Sequence, residues 1–365
     1  MSGVLKRSIV EGIQAVCLPS PGGEEWFVSA DAPHGGDAGT LQQSARGFLG
    51  AHGLKAVAGL AFGACDAGRP ADGLPWPVTW AGADGGVVSP ATGIQVHAVT
   101  GLTMEPVVLD GLVVGHVVDA PDARWCVLSG VGPADGSADR ATQARSVFER
   151  LEATLASAGL GLPDLARTWL YLDRILEWYD DFNRVRTEFF TQRGVFDGLV
   201  PASTGIGAGN PQGYAMVAGA LAIRPRNGSV SVVEVASPLQ CTARAYRSSF
   251  SRAVEIRRPG IRRLLVSGTA SIAPDGATAW PTDVRKQVDL TLDVVEGILQ
   301  SRQMGWADIT RSVAYFPDLA NAHHLDAALR ERGIAAMPLT LAKGDVCRDD
   351  LLFELEADAA VVAGL

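Results

Sequence analysis

Two glutamates, Glu354 and Glu356, are the side chains of this sequence best suited to acid–base chemistry. They lie two positions apart in the segment 351–359 (LLFELEADA), which we predict to be a strand, so they share one face of it. A carboxylic acid in a pocket can hold its proton near neutral pH, because burial raises its pKa. Taken alone, the residues fit either this role or that of a solvated acid on a strand face.

The acidic strand closes the second copy of an internal repeat. Residues 143–167 align with 287–311 at a constant offset, and each copy continues into a short strand, 168–172 (TWLYL) or 312–316 (SVAYF). The closing strand of the first copy, 215–223 (AMVAGALAI), has no ionisable group. Two copies of one scaffold with one acidic strand indicate one working site and one structural copy.

Each copy follows the order strand, strand, helix, strand, helix, strand. In the second copy, apolar residues at three- and four-residue spacing predict an amphipathic helix over 282–304, with Thr282 and Asp283 as N-cap candidates. The pattern predicts an α+β fold of tandem modules, with mixed four- to six-stranded sheets and helices packed on one face.

A chain of 365 residues fits two or three modules. We place a module without the acid at 119–226, a linker at 224–230, and a module carrying the acid at 236–365. The less regular N-terminal α+β region, 1–118, fits a degenerate third copy or an unrelated domain equally well.

Bulk properties exclude several functions. A formal net charge of −9 argues against nucleic acid or an anionic membrane as the main partner. Interrupted apolar runs such as 107–118 are too short to span a bilayer, and residues 1–14 lack the apolar core of a signal peptide, so we expect a cytoplasmic protein. The cysteines and histidines are scattered, so we expect no disulfide, no metal and no cofactor.

The paired modules resemble the RidA (YjgF/UK114) family, through Val266-Ser267-Gly268, Gln287 and Glu354-Leu355-Glu356. The resemblance implies RidA-like modules in a pseudo-trimeric arrangement, since the small members of that family are trimers with sites between subunits. That family's PARS-like motif supplies an arginine. Here Pro201-Ala202-Ser203-Thr204 and Met337-Pro338-Leu339-Thr340 replace the motif, so imine deamination is not expected.

A closer resemblance, covering 120–360, is to the chorismatases, which are built from fused RidA-like modules. It rests on segments 167–190, 201–214, 237–253, 266–276 and 346–356. The resemblance implies that the chain removes the enolpyruvyl group of chorismate as pyruvate. One subgroup forms 3-hydroxybenzoate, and another forms a dihydroxycyclohexadiene carboxylate by hydrolysis. A monomer with pseudo-trimeric module packing is expected.

The resemblance assigns the catalytic acid to Glu354, with Glu356 as the competing candidate. A cysteine at the position of Cys347 goes with the 3-hydroxybenzoate-forming subgroup, where it lines the pocket. A buried cysteine acting as a small hydrophobe is the alternative.

Chorismate has two carboxylates, so donors must converge on the site. We predict that Arg252 binds a substrate carboxylate and that Phe250 contacts the substrate ring. The alternative for Arg252 is an ion pair at the protein surface. Thr204 and Gly205 belong to a predicted glycine-rich turn whose backbone N–H groups could hold an anion.

Two further residues complete the predicted site. Tyr214 follows the glycine-rich segment and could add a hydroxyl, and the small Ala270 would allow backbone to pass close to a ligand. Together with the resemblance, these residues favour a 3-hydroxybenzoate-forming chorismatase. The alternatives are a hydrolytic chorismatase and a non-catalytic RidA-like protein that binds a metabolite.

Overall fold

The computed structural model describes residues 5–10, 12–63, 74–82, 90–246, 248–335 and 337–362. In these ranges the strands form three six-stranded sheets that follow one another along the chain. The first module consists of β1 (Lys6–Val10), β2 (Ile13–Ser20), β3 (Gly23–Gly36), α1 (Ala38–Ala51), β4 (Lys55–Phe62), β5 (Val78–Ala81) and β6 (Ala91–Thr100).

The second module begins before the predicted boundary at residue 118. It consists of β7 (Thr103–Leu109), β8 (Leu112–Asp119), β9 (Ala123–Val131), α2 (Arg140–Ser157), β10 (Leu165–Leu172), α3 (Tyr179–Gln192), β11 (Ala202–Gly207) and β12 (Met216–Pro225). The predicted boundary falls inside β8, and β8 belongs to the second sheet because it pairs with both β7 and β9.

The third module carries the acidic strand as its last element. It consists of β13 (Ser231–Val235), β14 (Ala253–Arg258), β15 (Ile261–Ala270), α4 (Val284–Gln300), β16 (Ile309–Phe316), α5 (Ala322–Glu331), β17 (Thr340–Lys343) and β18 (Glu354–Val362). The predicted cap is present, since Asp283 accepts a hydrogen bond from the Lys286 backbone N–H. The apolar stripe of α4 is buried, including Val288 and Leu292.

All three sheets have the same strand order. Numbered along each module, the order is 1-2-3-6-4-5. The fourth and fifth strands run parallel in every sheet, as β4 with β5, β10 with β11, and β16 with β17. The predicted tandem-module α+β fold is confirmed, and the first part of the chain has the same sheet order as the two repeat copies.

The modules contact one another in a closed ring. The fifth strand of each module lies against the third strand of the next, as β5 against β9, β11 against β15, and β17 against β3. At the centre, residues from all three modules form one apolar cluster that includes Phe62, Tyr171 and Tyr315. One chain therefore forms the pseudo-trimeric arrangement that the sequence predicted.

Candidate active site

A cavity of about 1510 Å³ lies between the second and third modules. The second module contributes α3 and part of β11 to its wall, and the third contributes residues before β14, the end of β15 and the segment leading into β18. The predicted site residues that line it are Glu354, Cys347, Arg252, Phe250, Gly205 and Ala270. The fold thus gathers into one cavity residues that are far apart in the sequence.

Glu354 is the first residue of β18 and is 5% exposed. It pairs with Ala270 of β15, and its carboxyl group packs on Gly268, where an added Cβ would lie 1.9 Å from Glu354 Oε1. Burial and the negative charge of Glu356 raise the pKa of Glu354 to about 8, against an opposing effect of Arg252. Glu354 therefore holds a proton at neutral pH and can act as an acid.

The other two modules have no acid at the equivalent position. Strand pairing makes Val217 of β12 and Gly93 of β6 the counterparts of Glu354. Neither residue has a group that can transfer a proton.

Glu356 is fully buried and is not among the residues that line the cavity. Arg167 of the second module and Arg311 of the third both form ion pairs with it, and Trp169 Nε1 donates to Glu356 Oε1 at 3.1 Å. Burial alone would raise the pKa of Glu356, but the charges of Arg311 and Arg167 lower it to about 2. Glu356 is therefore ionised and held between two modules, so that of these two glutamates it is Glu354 that lines the cavity.

Cys347 lines the cavity and also packs against an apolar cluster that contains Ala270 and Leu351. Its surroundings therefore fit both interpretations from the sequence, a residue that lines the pocket and a small apolar residue in a cluster. Burial, with the Glu354 carboxyl nearby, raises the pKa of the Cys347 thiol to about 11. At neutral pH the side chain is thus a neutral thiol.

Arg252 and Phe250 both contribute to the cavity wall. Arg252 is buried, and its Nε and Nη2 donate to the Cys241 carbonyl at 3.0 and 2.9 Å. Its guanidinium carbon lies 5.7 Å from the centre of the Phe250 ring. The predicted alternative of a surface ion pair is wrong for Arg252, because the guanidinium is inside the protein.

Arg186 is a second buried arginine in this wall, and the sequence analysis missed it. Its guanidinium carbon lies 5.0 Å from the ring centre of Phe182 and 5.8 Å from that of Phe250, and its Nη2 donates to Asn183 Oδ1 at 2.6 Å. A signal was present, since Arg186 stands four residues after Phe182 and so shares the apolar face of a helix.

Tyr179, the first residue of α3, also lines the cavity. Its hydroxyl lies 3.4 Å from Ser248 Oγ, and burial raises its pKa. The sequence gives little sign of this residue, because aromatic side chains are frequent along that helix.

The glycine-rich turn predicted at Thr204 and Gly205 is wrong, because both residues lie in β11, which pairs with β10. Gly205 does line the cavity, and a Cβ there would meet nothing within 4 Å. Thr204 does not line it. Instead its hydroxyl accepts hydrogen bonds from the Gly268 backbone N–H and from Arg167, both at 3.2 Å. Thr204 therefore joins the second module to the third.

Tyr214 also lies outside the cavity lining. Its ring occupies the space beside Gly132 and Gly136, where added Cβ atoms would lie 2.6 Å from ring carbons. Asn210 fixes its backbone by accepting from the Tyr214 N–H and donating to the Tyr214 carbonyl. The prediction that the Tyr214 hydroxyl contacts a ligand in this cavity is therefore wrong.

No metal centre is visible in the part of the chain that the structure describes, where no three or more His, Cys, Asp or Glu side chains could hold an ion together. The described cysteines Cys17, Cys126, Cys241 and Cys347 are free, and Cys65 lies outside the described residues. No described helix is long and apolar enough to cross a membrane.

Comparison with known proteins finds similarity to chorismatases. Residues 115–222 match the family model described as "Chorismatase FkbO/Hyg5-like, N-terminal". A protein named chorismatase from Streptomyces rapamycinicus is 31% identical over 230 residues, which is 55% of this chain and 65% of the relative. A second, from Streptomyces hygroscopicus, is 30% identical over 228 residues, covering 55% and 63%. The chain thus spans slightly less than two thirds of the length of these relatives.

Among solved structures, the chain is similar to a crystal structure of a chorismatase. The TM-score is 0.64 at 24% identity, and the match covers 84% of this chain and 92% of the other. The two proteins therefore share their fold across most of both chains.

Proposed function

We propose that this chain is a chorismatase that removes the enolpyruvyl group of chorismate as pyruvate and forms 3-hydroxybenzoate. The observation that carries the proposal is the buried Glu354 carboxyl, which holds a proton at neutral pH and lines one cavity with Arg252 and Arg186. An acid-labile enol ether that bears two carboxylates fits this combination of one buried, protonated acid and two buried arginines. The similarity to chorismatases supports the choice of substrate.

In the proposed first step, Glu354 donates its proton to the vinyl methylene carbon of the enolpyruvyl group. The side-chain carbon that bears the ether oxygen becomes an oxocarbenium ion. The Glu354 carboxylate then stabilises this cation, because it lies in a buried site where charges interact strongly.

Arg252 and Arg186 are the proposed partners of the two substrate carboxylates. Guanidinium groups suit this role, since they bind carboxylates through paired, charge-assisted hydrogen bonds. Both guanidinium carbons lie within 5.8 Å of the Phe250 ring centre, so the ring contacts both cations in one wall.

The product depends on what captures the oxocarbenium ion. Capture by the neighbouring ring hydroxyl, whose proton passes to the Glu354 carboxylate, gives a cyclic ketal. The ring then loses the proton at its ether-bearing carbon as the other ring C–O bond breaks and Glu354 protonates the departing oxygen. The resulting hemiketal releases pyruvate and 3-hydroxybenzoate. The atoms of chorismate equal those of the two products, so this route consumes no water. Capture by water instead gives pyruvate and the dihydroxycyclohexadiene carboxylate.

Cys347 supports the first route. Its neutral thiol lies near Glu354 in the cavity wall. It can accept the ring proton while passing its own to the Glu354 carboxylate, which regenerates the acid. Ala270 pairs with Glu354 and also lines the cavity.

Both walls of the cavity come from one chain, so we propose that the working form is a monomer with pseudo-trimeric module packing. Val217 and Gly93 in the equivalent positions support one site with an acid at the start of its closing strand among the described residues. Nothing in the proposed chemistry requires a cofactor.

The test is incubation of the purified protein with chorismate, followed by mass spectrometry of the products, with the Glu354→Gln variant as control. We expect 3-hydroxybenzoate and pyruvate in equal amounts from the unmodified protein. The diene acid as the main product would support the hydrolytic chorismatase instead. Binding of chorismate without turnover would support a non-catalytic metabolite-binding protein.

A further inference from the structure

The three modules differ at the connection between their first two strands. Two residues join β1 to β2, and two join β7 to β8. In the third module, β13 ends at Val235 and β14 begins at Ala253. We call the intervening residues 236–252 the strap. The module that carries Glu354 is the one with this insertion, and the strap residues that line the cavity are Arg244, Ser248, Ser249, Phe250 and Arg252.

Arg252 joins the two ends of the strap. Its backbone is fixed beside β15, because the Ser267 N–H donates to the Arg252 carbonyl at 3.0 Å. Its side chain extends back to the beginning of the strap, where two of its N–H groups donate to the Cys241 carbonyl. The position of the guanidinium in the cavity wall therefore depends on the position of that carbonyl.

Gln240 holds this part of the strap against β15. Its side-chain Nε2 donates to the carbonyls of Ala270 at 2.9 Å and Ile272 at 3.1 Å. Gln240 is buried but is not among the residues that line the cavity. Since Ala270 pairs with Glu354, the same end of β15 locates both the strap and the acid.

The other contacts of the described strap residues lie away from Cys241. Before Gln240, Pro238 lies over α4, where a Cβ at Gly297 would be 3.1 Å from Pro238 Cγ. Near its end, the strap contacts α3 of the second module, as Ser249 with Thr187 at 2.8 Å, and contacts β15 again, where Ser267 Oγ donates to the Ser251 carbonyl at 2.6 Å. Gln240 instead ties the chain next to Cys241 to β15.

We propose that Gln240 is a positioning residue that sets the distance between the Arg252 guanidinium and the Glu354 carboxyl, and thereby the binding of substrate. The proposal rests on the proposed function for the identity of that substrate. Gln240 acts through Arg252 and touches no reacting atom.

Gln240→Met tests this role, because methionine keeps the side-chain length but has no N–H donors. We expect KM for chorismate to rise about tenfold, since a buried charged donor is misplaced, while kcat changes by less than about twofold. The matched control is Gln143→Met in the second module, whose amide also donates to two backbone carbonyls, those of Gly136 and Ala138. The control should lower Tm and leave KM unchanged. A Gln240→Met variant that behaves like the control would overturn the proposal.

A double-mutant cycle separates positioning from general stability. If Gln240 acts through Arg252, adding Gln240→Met to an Arg252→Ala protein should raise KM no further. Independent, multiplying effects on KM would contradict the proposal.

An unmodified protein that does not turn over chorismate would refute the proposed function, and the strap would then be tested by hydrogen exchange. Gln240→Met should speed exchange at the Ser248 and Ser251 amides, whose N–H groups are hydrogen-bonded at 3.0 Å. The Gln143→Met control should not. Equal exchange in the two variants would overturn the positioning role.

Discussion

Glu354 and Glu356 lie two residues apart on one face of β18, yet one holds its proton at neutral pH and the other is ionised. Strand geometry puts such side chains about 7 Å apart. The difference arises from their partners, because Arg167 and Arg311 pair with Glu356, whereas Glu354 faces the cavity. The ionised Glu356 in turn raises the pKa of its neighbour.

Replacing Glu354 with Gln should abolish chorismate turnover, because an amide cannot supply the proton. General acid catalysis is typically worth about 10²- to 10⁴-fold in rate. Glu356→Gln should reduce kcat far less at its own optimum pH, although its Tm should fall because two buried arginines lose a partner. Steady-state kinetics with both variants checks the ranking, and the opposite ranking would assign the acid to Glu356.

The pH dependence of kcat should report the proton on Glu354. Since the protonated form is the donor, kcat should fall as pH rises through about 8. Glu356→Gln removes a negative charge that raises this pKa, so the alkaline limb should move to lower pH. The measurement is kcat between pH 5 and pH 10 for both proteins, and a limb that stays in place would show that Glu356 does not affect the acid.

Arg252→Ala should raise KM for chorismate strongly, because a buried substrate carboxylate would lose its partner at a cost of about 1–3 kcal/mol. Arg226→Ala is the control, since Arg226 pairs with Asp119 at the surface, outside the cavity lining. Equal KM values for the two variants would exclude Arg252 from substrate binding.

Arg186→Gln should also raise KM, and by a similar factor, if each arginine holds one carboxylate. A substrate analogue that lacks the ring carboxylate separates the two arginines, because only one of the variants should then lose further affinity. Inhibition constants for such an analogue provide the measurement. Equal losses with both variants would contradict one arginine per carboxylate.

The repeat is visible in the sequence because the glutamine near the start of each copy's first helix has the same structural role. The Gln143 amide donates to carbonyls in the loop before α2. The Gln287 amide donates to the Trp280 carbonyl in the loop before α4 and to the Asp350 carbonyl in the segment before β18. The sheet of the first module could not be deduced in this way, since strand order depends on pairing between residues far apart in sequence.

The sequence predicted the site residues that lie on a single strand. It predicted less well the residues whose role depends on contacts between modules. Glu354 follows from its strand and the family resemblance. Thr204 was misassigned because its role depends on packing between modules. Strand pairing gives Thr79 and Thr340 the same position in the other sheets, and Thr79 likewise accepts from the Gly130 N–H of the next module at 2.8 Å.

Product choice should depend on Cys347. If its thiol returns the ring proton to Glu354, the cyclic ketal aromatises before it can reopen to the oxocarbenium ion that water captures. Cys347→Val and Cys347→Ala should therefore form more of the diene acid and less 3-hydroxybenzoate. Valine fills the space of the thiol, whereas alanine leaves room for a water molecule, so alanine should give the larger share of diene acid. The ratio of the two products by mass spectrometry is the measurement. The free Cys17 of the first module provides the control, since it does not line the cavity and its substitution by Ala should leave the ratio unchanged. If the unmodified protein already forms mainly the diene acid, the role of Cys347 is refuted, while the assignment of Glu354 as the acid stands.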